Sequence, residues 1–415
     1  VKKGYEDRVK AVFDRWELRS DVIGKVTADG LARITEGDKV VAEVPTTVLS
    51  SPPMYYWTVR KPAWLRKVQE LDLAVIPDLT SEECSSALLR LLASPNICSK
   101  ESVYRQYDHQ VMDNSVVLPG SDAAVIRVKE TGKGLALSAD GNGRYCYLNP
   151  RTGAAIAVAE AARNVACSGA QPIALTDCLN LGNPERDDVF YQLKEVVKGI
   201  AWACRRLKIP VISGNVSLYN ETGGRAIYPT PVIGMLGLMD DARRHCTSGF
   251  KSQGDLVFLL GDAEPRLDGS EYLEVAQGVV RGNPAIDLEL ERRVQQACIE
   301  AVKLGVLQSA HDCSDGGLAV ALAESAIQGG LGFSGRVPAN GRRDAALFGE
   351  SQSRIVVSLA PEKASKLTEL AGKWQVSLTP LGRAGGDRFA IEGCLDLPLS
   401  EITRVWRDSL AEYLK

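Results

Sequence analysis

The segment from Leu175 to Glu185, Leu-Thr-Asp-Cys-Leu-Asn-Leu-Gly-Asn-Pro-Glu, concentrates oxygen-bearing side chains. It holds two carboxylates, Asp177 and Glu185, and two carboxamides, Asn180 and Asn183. Such oxygen ligands suit Mg²⁺. Asp177 follows the apolar Ile-Ala-Leu, so we expect it at the end of a strand, where ligand-binding residues often lie. The alternative is a polar loop in which Asn-Pro ends regular structure.

A second polar segment, Ser-Gly-Asn-Val-Ser-Leu-Tyr-Asn-Glu at 213–221, directly follows the apolar Pro-Val-Ile. A glycine at a strand exit, here Gly214, allows the backbone to approach a ligand closely. Asn215 and Ser217 alternate, so both side chains can lie on one face of a strand. The alternative is a tight turn with polar tips.

Two glycine-containing segments could hold an anion. Ser-Ala-Asp-Gly-Asn-Gly-Arg at 138–144 can present backbone N–H groups, although its Asp-Gly and Asn-Gly pairs are equally typical of a hairpin turn. His-Asp-Cys-Ser-Asp-Gly-Gly at 311–317 precedes a predicted helix whose N-terminus could hold a phosphate. Alternatively, Ser314 or Asp315 is an ordinary N-cap, and His311 is a hydrogen-bonded core histidine.

A fifth segment, Phe-Gly-Glu-Ser-Gln-Ser-Arg at 348–354, leads into a predicted strand. Its Glu350 and Arg354 could simply form a surface salt bridge. No G-x-G-x-x-G or Walker A sequence occurs in the chain, and no serine–histidine–acid pattern supports nucleophilic catalysis.

Composition excludes some functional classes. The 415 residues, enough for two or three domains, carry a formal net charge of −3, which argues against general nucleic-acid binding. No apolar run approaches the length of a membrane span. Ten scattered cysteines without a C-x-x-C pair indicate buried thiols in a reducing compartment, and we expect a cytoplasmic location.

Hydrophobic spacing predicts the elements that must position these segments. Helices are predicted at 6–16, 151–170, 188–208, 287–305, 316–329 and 364–374. Strands are predicted at Val22–Val26, Leu31–Thr35 and Lys39–Val44, and near 115–129, 210–213, 229–239, 255–260 and 354–359, with an irregular connector at 45–85. Helices and strands mix without regular alternation, which favours an α+β fold.

The two ends of the chain resemble each other. Trp16 and Gly24 have the same separation as Trp374 and Gly382, and the intervening apolar residues match without a gap. Chance similarity of two helix–strand units is the alternative. As a repeat, the pattern predicts the tail of one copy of a module followed by a complete second copy, and therefore a fragment or one piece of a split protein.

The order of the five segments resembles the synthetase subunit of phosphoribosylformylglycinamidine synthase, in the aminoimidazole ribonucleotide synthetase-like superfamily. The resemblance implies an α+β fold: the second repeat of a tandem, with an N-terminal α/β half-barrel domain and a C-terminal α+β domain. It implies four parts: 1–50, the tail of the first repeat; 51–84, a connector; 85–245, an ATP-binding type of domain; and 246–415, the C-terminal domain.

The resemblance also implies a ligase of purine biosynthesis that converts formylglycinamide ribonucleotide, ATP and glutamine-derived ammonia into formylglycinamidine ribonucleotide. ATP contacts are implied for Asp177 and Gly214, Mg²⁺ ligation for Asn215 and substrate contact for Ser217. The catalytic residues are expected outside this chain, in the first repeat. A pseudo-symmetric auxiliary nucleotide site is implied for Asp140, His311, Asp312, Ser314, Asp315, Gly316, Gly317 and Glu350.

The implied partners are a glutaminase subunit, a small accessory subunit and either the first repeat or a second copy of this chain. We therefore expect the isolated chain to lack synthetase activity. The alternatives are a non-catalytic module that holds a nucleotide, or another ATP-dependent synthetase of the superfamily; the known branches lack the segments around Asp177 and Gly214.

Overall fold

The computed structural model describes residues 1–54, 57–261, 264–338 and 341–415. The chain forms two compact units, Val1–Trp57 and Thr58–Lys415. Within the described ranges, no helix is long and apolar enough to cross a membrane.

The first unit is small and open. It contains helix α1 (Glu6–Asp14), the antiparallel strands β1 (Leu31–Glu36) and β2 (Lys39–Pro45), and helix α2 (Thr46–Ser50). None of its described residues is buried. A segment of this size without a core cannot be stabilised by burial of its own side chains.

The sequence predicted α1 and the two strands correctly, but the strand at Val22–Val26 is wrong, because this segment is irregular. A strand needs a neighbour to satisfy its backbone N–H and C=O groups. Among the described residues of this unit, β1 and β2 pair only with each other, so the segment has no further strand to pair with.

The second unit begins with three short helices, α3 (Ala63–Gln69), α4 (Glu83–Leu92) and α5 (Glu101–Tyr104). The prediction of an irregular connector at 45–85 is therefore wrong in part. Pro62 stands immediately before α3 rather than inside it, where proline is compatible with a helix start.

A six-stranded sheet follows, in the order β3-β4-β5-β10-β6-β7. Its strands are β3 (Ser115–Val117), β4 (Ala124–Arg127), β5 (Gly134–Asp140), β6 (Gln171–Asn180), β7 (Val211–Ser217) and β10 (Thr230–Met239), and a small hairpin of β8 (Glu221–Thr222) and β9 (Arg225–Ala226) precedes β10. Helices α6 (Gly143–Leu148), α7 (Pro150–Cys167) and α8 (Asp187–Leu207) accompany it. The pair β6–β7 is parallel, whereas the other pairs are antiparallel.

A seven-stranded sheet forms the rest of the unit, in the order β12-β14-β11-β15-β13-β16-β17. Its strands are β11 (Leu256–Gly261), β12 (Ser309–Asp312), β13 (Phe333–Gly335), β14 (Arg354–Leu359), β15 (Leu378–Ala384), β16 (Arg388–Ile391) and β17 (Leu395–Pro398). Its helices are α9 (Glu271–Gln277), α10 (Leu288–Lys303), α11 (Gly317–Gly329), α12 (Arg343–Phe348), α13 (Ala364–Trp374) and α14 (Leu399–Tyr413). The α+β prediction and the long predicted helices are confirmed.

Helix α4 packs with the second sheet although it precedes the first. Its buried residues Cys84, Leu88 and Leu91 share one hydrophobic core with Phe250 and Leu318. The first domain predicted at 85–245 therefore contains a segment whose side chains belong to the core of the second.

The end of each unit has the same local pattern, which supports the internal repeat. In both places a β-hairpin ends at a proline and a helix starts at the next residue. Pro45 has φ −57° and ψ 134°, and Pro398 has φ −60° and ψ 136°. In the repeat, the α1 segment likewise corresponds in sequence to α13. In the same alignment Val22–Val26 corresponds to part of β15, a strand that pairs with β11 and β13.

Two helical glycines provide a test of the packing between α7 and α8. A Cβ on Gly199 in α8 would lie 2.1 Å from the Arg151 carbonyl oxygen, whereas a Cβ on Gly372 in α13 would meet nothing within 4 Å. We predict that Gly199→Ala lowers the free energy of unfolding by about 1–3 kcal/mol through overpacking. The matched Gly372→Ala variant should raise it by about 0.5–1 kcal/mol, as measured by urea denaturation. Equal effects would contradict this description of the helix pair.

Candidate functional site

The structure brings the segments around Asp177 and Gly214 together on the parallel strands β6 and β7. The register pairs Asp177 with Gly214, Cys178 with Asn215 and Asn180 with Ser217. Asn180 and Ser217 end their strands, whereas Asp177 and Gly214 lie inside theirs, so the expected strand end at Asp177 and strand exit at Gly214 are wrong. The four implied site residues therefore form one patch at the end of the sheet.

The patch has two faces. Asp177 lies on the face of Leu175 and Leu179, which are buried in the core, and burial raises the pKa of its carboxyl. A Cβ on Gly214 would lie 2.6 Å from Asp177 Oδ1. A side chain at position 214 would therefore have to displace the Asp177 carboxylate.

Asn215 and Ser217 lie on the opposite face of β7, in agreement with their alternation. Asn215 Nδ2 donates to Cys178 Sγ at 3.6 Å, and Ser217 Oγ lies 3.3 Å from Asn220 Oδ1. The four residues thus do not converge on one point within this chain. A ligand that contacted all of them would have to lie across the end of the strands.

Other polar residues of the same segment order their own loop. Asn180 Nδ2 donates to the Thr230 carbonyl at 3.1 Å, and the Asn183 backbone N–H donates to Glu221 Oε1 at 3.0 Å. Glu185 accepts from the Tyr219 hydroxyl at 3.3 Å. These contacts fit the alternative of a structured polar loop for Asn180, Asn183 and Glu185. The part played by Glu221 was not predicted from the sequence.

Strand β7 is an uncovered edge of its sheet. Its apolar side chains Val211, Ile212 and Val216 are 47%, 65% and 54% exposed. An exposed edge strand with apolar side chains is a template for pairing with another chain. The patch therefore lies on and beside an exposed edge strand of the sheet.

A second group of polar residues surrounds a cavity of about 440 Å³ between the two sheets. His311 lies in its wall, with Nδ1 3.0 Å from Asp122 Oδ1 and Nε2 3.1 Å from Glu324 Oε2. Burial opposes protonation of His311, but the two carboxylates outweigh it and hold its pKa well above the usual range. Both ring nitrogens of His311 therefore have hydrogen-bond partners, which agrees with the alternative of a hydrogen-bonded core histidine.

Two acids of the cavity carry unpaired oxygens. Asp140 Oδ1 accepts from Asn164 Nδ2 at 3.0 Å and Asp312 Oδ1 accepts from Arg163 Nε, but Asp140 Oδ2 and Asp312 Oδ2 are buried without a partner among the described residues. Burial raises the pKa of Asp140 to about 7 and that of Asp312 to about 6. Uncompensated buried acids of this kind would be stabilised by a cation.

Sequence reasoning missed four polar residues near these acids: Asp122, Glu160, Arg163 and Asn164. Burial raises the pKa of Glu160 well above the usual range. The available signal was Glu-x-x-Arg-Asn within a helix otherwise rich in alanine and valine. Charged residues in a buried helix need partners. Nevertheless, the described residues contain no group of three or more His, Cys, Asp or Glu side chains arranged to hold a metal ion.

The glycine turn before α11 differs from the prediction of a phosphate site. The Gly316 N–H donates to Glu350 Oε1 at 2.7 Å, and the Gly317 N–H donates to the Ser314 carbonyl at 2.9 Å. Both glycine N–H groups are therefore already used. A protein carboxylate occupies the position at which a phosphate was expected.

Glu350 does not pair with Arg354, so the surface salt bridge is wrong. Glu350 also accepts from the Glu271 N–H at 2.7 Å and from the Tyr145 hydroxyl, and burial raises its pKa to about 8. The Arg354 guanidinium is buried and donates to the Ser351 carbonyl at 2.9 Å. Both side chains shape the interior of the molecule.

The polar residues that follow Asp140 also make structural contacts. Asn142 caps α6 by accepting from the Tyr145 N–H at 3.2 Å, and its Nδ2 donates to Asp315 Oδ1 at 3.0 Å. Arg144 forms ion pairs with Glu271 and, at 3.4 Å, with Asp315. These contacts join the segment to the turn at 314–317, which the sequence treated as a separate feature.

Comparison with protein families accounts for both sheets. Residues 120–239 match the family "AIR synthase related protein, N-terminal domain", and residues 252–392 match "AIR synthase related protein, C-terminal domain". The chain belongs to the AIR synthase related family. The match to this family confirms the resemblance inferred from the five segments.

The chain is similar to named members of the family. It is 50% identical over 415 residues to phosphoribosylformylglycinamidine synthase subunit PurL of Moorella thermoacetica, covering 99% of this chain and 56% of that protein. It is also 50% identical over 413 residues to PurL of Thermomicrobium roseum, covering 98% and 56%. The chain thus spans about half the length of the curated relatives it matches.

Solved structures show the same fold. A structure of T. maritima PurL complexed with FGAR matches with a TM-score of 0.63 at 19% identity, over 77% of this chain and 53% of that one. The structure of PurLQS from Thermotoga maritima matches with a TM-score of 0.58 at 22% identity, over 92% and 54%.

The buried acids predict a pH-dependent stability. Since burial raises the pKa of Asp140 from 3.8 to about 7, the folded chain binds this proton more tightly than the unfolded chain. Stability should fall as pH rises from about 4 to about 7, with the full penalty above pH 7. We predict that Asp140→Asn stabilises the ligand-free chain by about 1–3 kcal/mol at pH 8, and by little at pH 4.

Urea denaturation at both pH values measures this effect. Asp408→Asn, at an exposed position of α14, is the control and should change stability little at either pH. An equal gain in the free energy of unfolding from Asp140→Asn at both pH values would show that ionisation of the Asp140 carboxyl does not destabilise the folded chain.

Proposed function

We propose that this chain supplies the second half of the synthetase of phosphoribosylformylglycinamidine synthase. The reaction would use ATP and glutamine-derived ammonia to convert the amide of formylglycinamide ribonucleotide into an amidine. The observation that carries the proposal is the joint position of Asp177, Gly214, Asn215 and Ser217 on β6 and β7, in a chain 50% identical to PurL subunits.

In this proposal the four residues bind and orient the ligands. Asp177 and the backbone at Gly214 would contact ATP, because Gly214 is exposed and has no side chain of its own between its backbone and a ligand. Ser217 is half-buried and its hydroxyl can donate to the substrate. We assign no catalytic acid or base to this chain.

Magnesium would be held in part by Asn215. Its Nδ2 contacts Cys178 Sγ, which leaves the carboxamide oxygen to act as a ligand of the kind that Mg²⁺ prefers. One oxygen does not make a site, so the remaining ligands must come from another surface. When bound, the ion would neutralise the phosphates of ATP.

The partner is the surface that completes this site. We infer that the uncovered edge and apolar side chains of β7 pair with the first repeat, or with a second copy of this chain when the first repeat is absent. We also propose two further partners, a glutaminase subunit that would deliver ammonia and a small accessory subunit. We place the reaction in the cytoplasm.

We also propose an auxiliary nucleotide at the second cavity, bound through a cation. The unpaired oxygens of Asp140 and Asp312 fit a cation better than a bare phosphate. Residues His311, Ser314, Asp315, Gly316, Gly317 and Glu350 would shape this site rather than hold phosphate directly, because Glu350 already accepts from the Gly316 N–H.

The second candidate function is a non-catalytic module that holds a nucleotide. The incomplete patch on β7 and the acidic cavity favour it for the isolated chain. The two functions differ in one respect: only the synthetase requires Asn215 and Ser217 when the chain is combined with a first repeat.

A complementation assay tests the proposed reaction. The chain would be mixed with the part of the Moorella thermoacetica PurL subunit that lies outside the match, together with ATP, Mg²⁺, ammonia and formylglycinamide ribonucleotide. We predict amidine formation in the mixture and none with either piece alone. Asn215→Ala should reduce the rate at least 100-fold, and Asn215→Asp, which keeps an oxygen ligand, should reduce it less.

Binding of the two pieces is measured in the same mixture by sedimentation. Amidine formation by the chain alone would contradict the incomplete site. A stable complex with full activity after Asn215→Ala would contradict the role of this residue.

Self-association is a separate prediction from the exposed strand. We expect the isolated chain to form dimers at micromolar concentration, and Ile212→Lys to shift it toward the monomer, because a charge opposes edge pairing. The exposed Val197→Lys on α8 is the control. A strictly monomeric parent chain in sedimentation velocity would contradict self-association.

A further inference from the structure

One face of β6 and β7 carries a cysteine between two carboxamides, beside the proposed magnesium ligand. Cys178 and Asn180 share this face of β6, because they are two residues apart. The register places Asn215 of β7 directly opposite Cys178. The half-buried Cys178 sulfur accepts from Asn215 Nδ2 at 3.6 Å and from Asn180 Nδ2 at 3.7 Å. A single sulfur therefore contacts the amino groups of both carboxamides.

The contacts of Asn180 show which end of a carboxamide faces the sulfur. Asn180 Nδ2 also donates to the Thr230 carbonyl at 3.1 Å and to the Cys178 carbonyl at 3.0 Å. A carbonyl oxygen can only accept, so this end of the side chain must be the amino group. The Cys178 sulfur is therefore a hydrogen-bond acceptor for Asn180, although sulfur accepts more weakly than oxygen.

Asn215 depends on the sulfur more than Asn180 does. Within the described part of the chain, the contact with Cys178 is the only hydrogen bond of the Asn215 side chain. The last torsion of an asparagine side chain is broad, so an unheld carboxamide would turn either its oxygen or its amino group toward a ligand. Only the oxygen can bind Mg²⁺. A hydrogen bond from the amino group to Cys178 therefore selects the orientation that a metal ligand needs.

We propose that Cys178 is a positioning residue, which holds the Asn215 carboxamide so that its Oδ1 is presented to the magnesium ion. The inference rests on the proposed function, in which Asn215 holds the ion in part. Cys178 itself contacts neither the ion nor the substrate, and its thiol takes part in no chemical step.

Two alanine variants separate the hydrogen bond from a general effect on the strand. Cys178→Ala removes the acceptor of the Asn215 amino group. Thr176→Ala is the matched control, because Thr176 lies two residues earlier on the same face of β6, opposite Ser213. Thr176 is exposed, and its hydroxyl makes no hydrogen bond with any described residue. Both variants shorten a side chain on this face, but only Cys178→Ala releases Asn215.

The first measurement follows the Asn215 carboxamide directly, in the proton–nitrogen correlation spectrum of the isotopically labelled full chain. The side-chain amide of Asn215 is identified as the pair of signals lost in Asn215→Ala. We expect Cys178→Ala to move this pair toward the positions of freely exposed asparagine amides, and Thr176→Ala to leave it in place. The Asn180 pair should move less, because two carbonyls still hold its amino group.

The second measurement uses the complementation mixture described above, at fixed ATP and varied free Mg²⁺. With Cys178→Ala, the free Mg²⁺ concentration that gives half of the maximal rate should rise about tenfold, as is typical when a group that orients a metal ligand is removed. The rate at saturating Mg²⁺ should stay close to that of the parent mixture. Thr176→Ala should change neither quantity.

Three results would overturn this inference and leave the proposed function intact: an Asn215 amide signal unmoved by Cys178→Ala, the same Mg²⁺ dependence for Cys178→Ala and Thr176→Ala in an active mixture, or a lower maximal rate of Cys178→Ala without a change in Mg²⁺ dependence. The last is the result that a merely structural role predicts. Absence of amidine formation by the parent mixture would instead overturn the proposed function, and with it the role of Cys178.

Discussion

The buried guanidinium of Arg163 is the interaction on which the rest of the second unit depends. It has no exposed surface and donates to Glu291 Oε2 at 2.7 Å, to Gln352 Oε1 at 3.1 Å and to Asp312. Arg163 lies on α7 beside the six-stranded sheet, whereas Asp312 lies in β12, Glu291 in α10 and Gln352 in the loop before β14 of the seven-stranded sheet. Loss of one partner from such a buried pair costs about 3–5 kcal/mol. The two sheets are therefore fixed relative to each other by charge as well as by apolar packing.

This constraint determines where polar groups can remain unpaired. Arg163 engages one oxygen of Asp312 and leaves the other buried without a partner, close to Asp140. On the other side of the same interface, Glu350 connects the starts of α9 and α11 and closes the glycine turn. The cavity between the sheets is consequently lined by buried acids. The patch on β6 and β7 differs from it, because it lies at an exposed edge of the six-stranded sheet.

The sequence identified the order of the functional segments and most long helices, because these depend on local spacing and glycine or proline positions. It predicted strands before Asp177 and Gly214, since short apolar runs precede both, but it placed the strand ends too early, because β6 continues to Asn180 and β7 to Ser217. It could not predict that Gly316 donates to Glu350, because that contact joins residues distant in sequence. For the same reason it missed Arg163, whose role is visible only once α7 is packed between two sheets.

The incorrect prediction of a strand at Val22–Val26 has a similar cause. Its residues have the pattern of a strand, and the corresponding region of the second unit forms β15. A strand forms only where neighbours satisfy its backbone groups, and those neighbours are absent from the first unit. Sequence pattern thus predicts the capacity to form a strand, whereas the presence of partners decides the outcome. The edge of β7 is likewise uncovered, so for the functional patch, too, the question is whether a neighbouring surface is present.

Hydrogen–deuterium exchange at β7 tests most directly whether a separate surface completes this patch. The amides of Val211–Ser217 would be followed in the isolated chain and in a complex with the part of the Moorella thermoacetica PurL subunit that lies outside the match. Our account predicts fast exchange at the outward-facing amides of the isolated chain when dilute, and strong protection in the complex. A stable complex in which exchange at β7 is unchanged would contradict it.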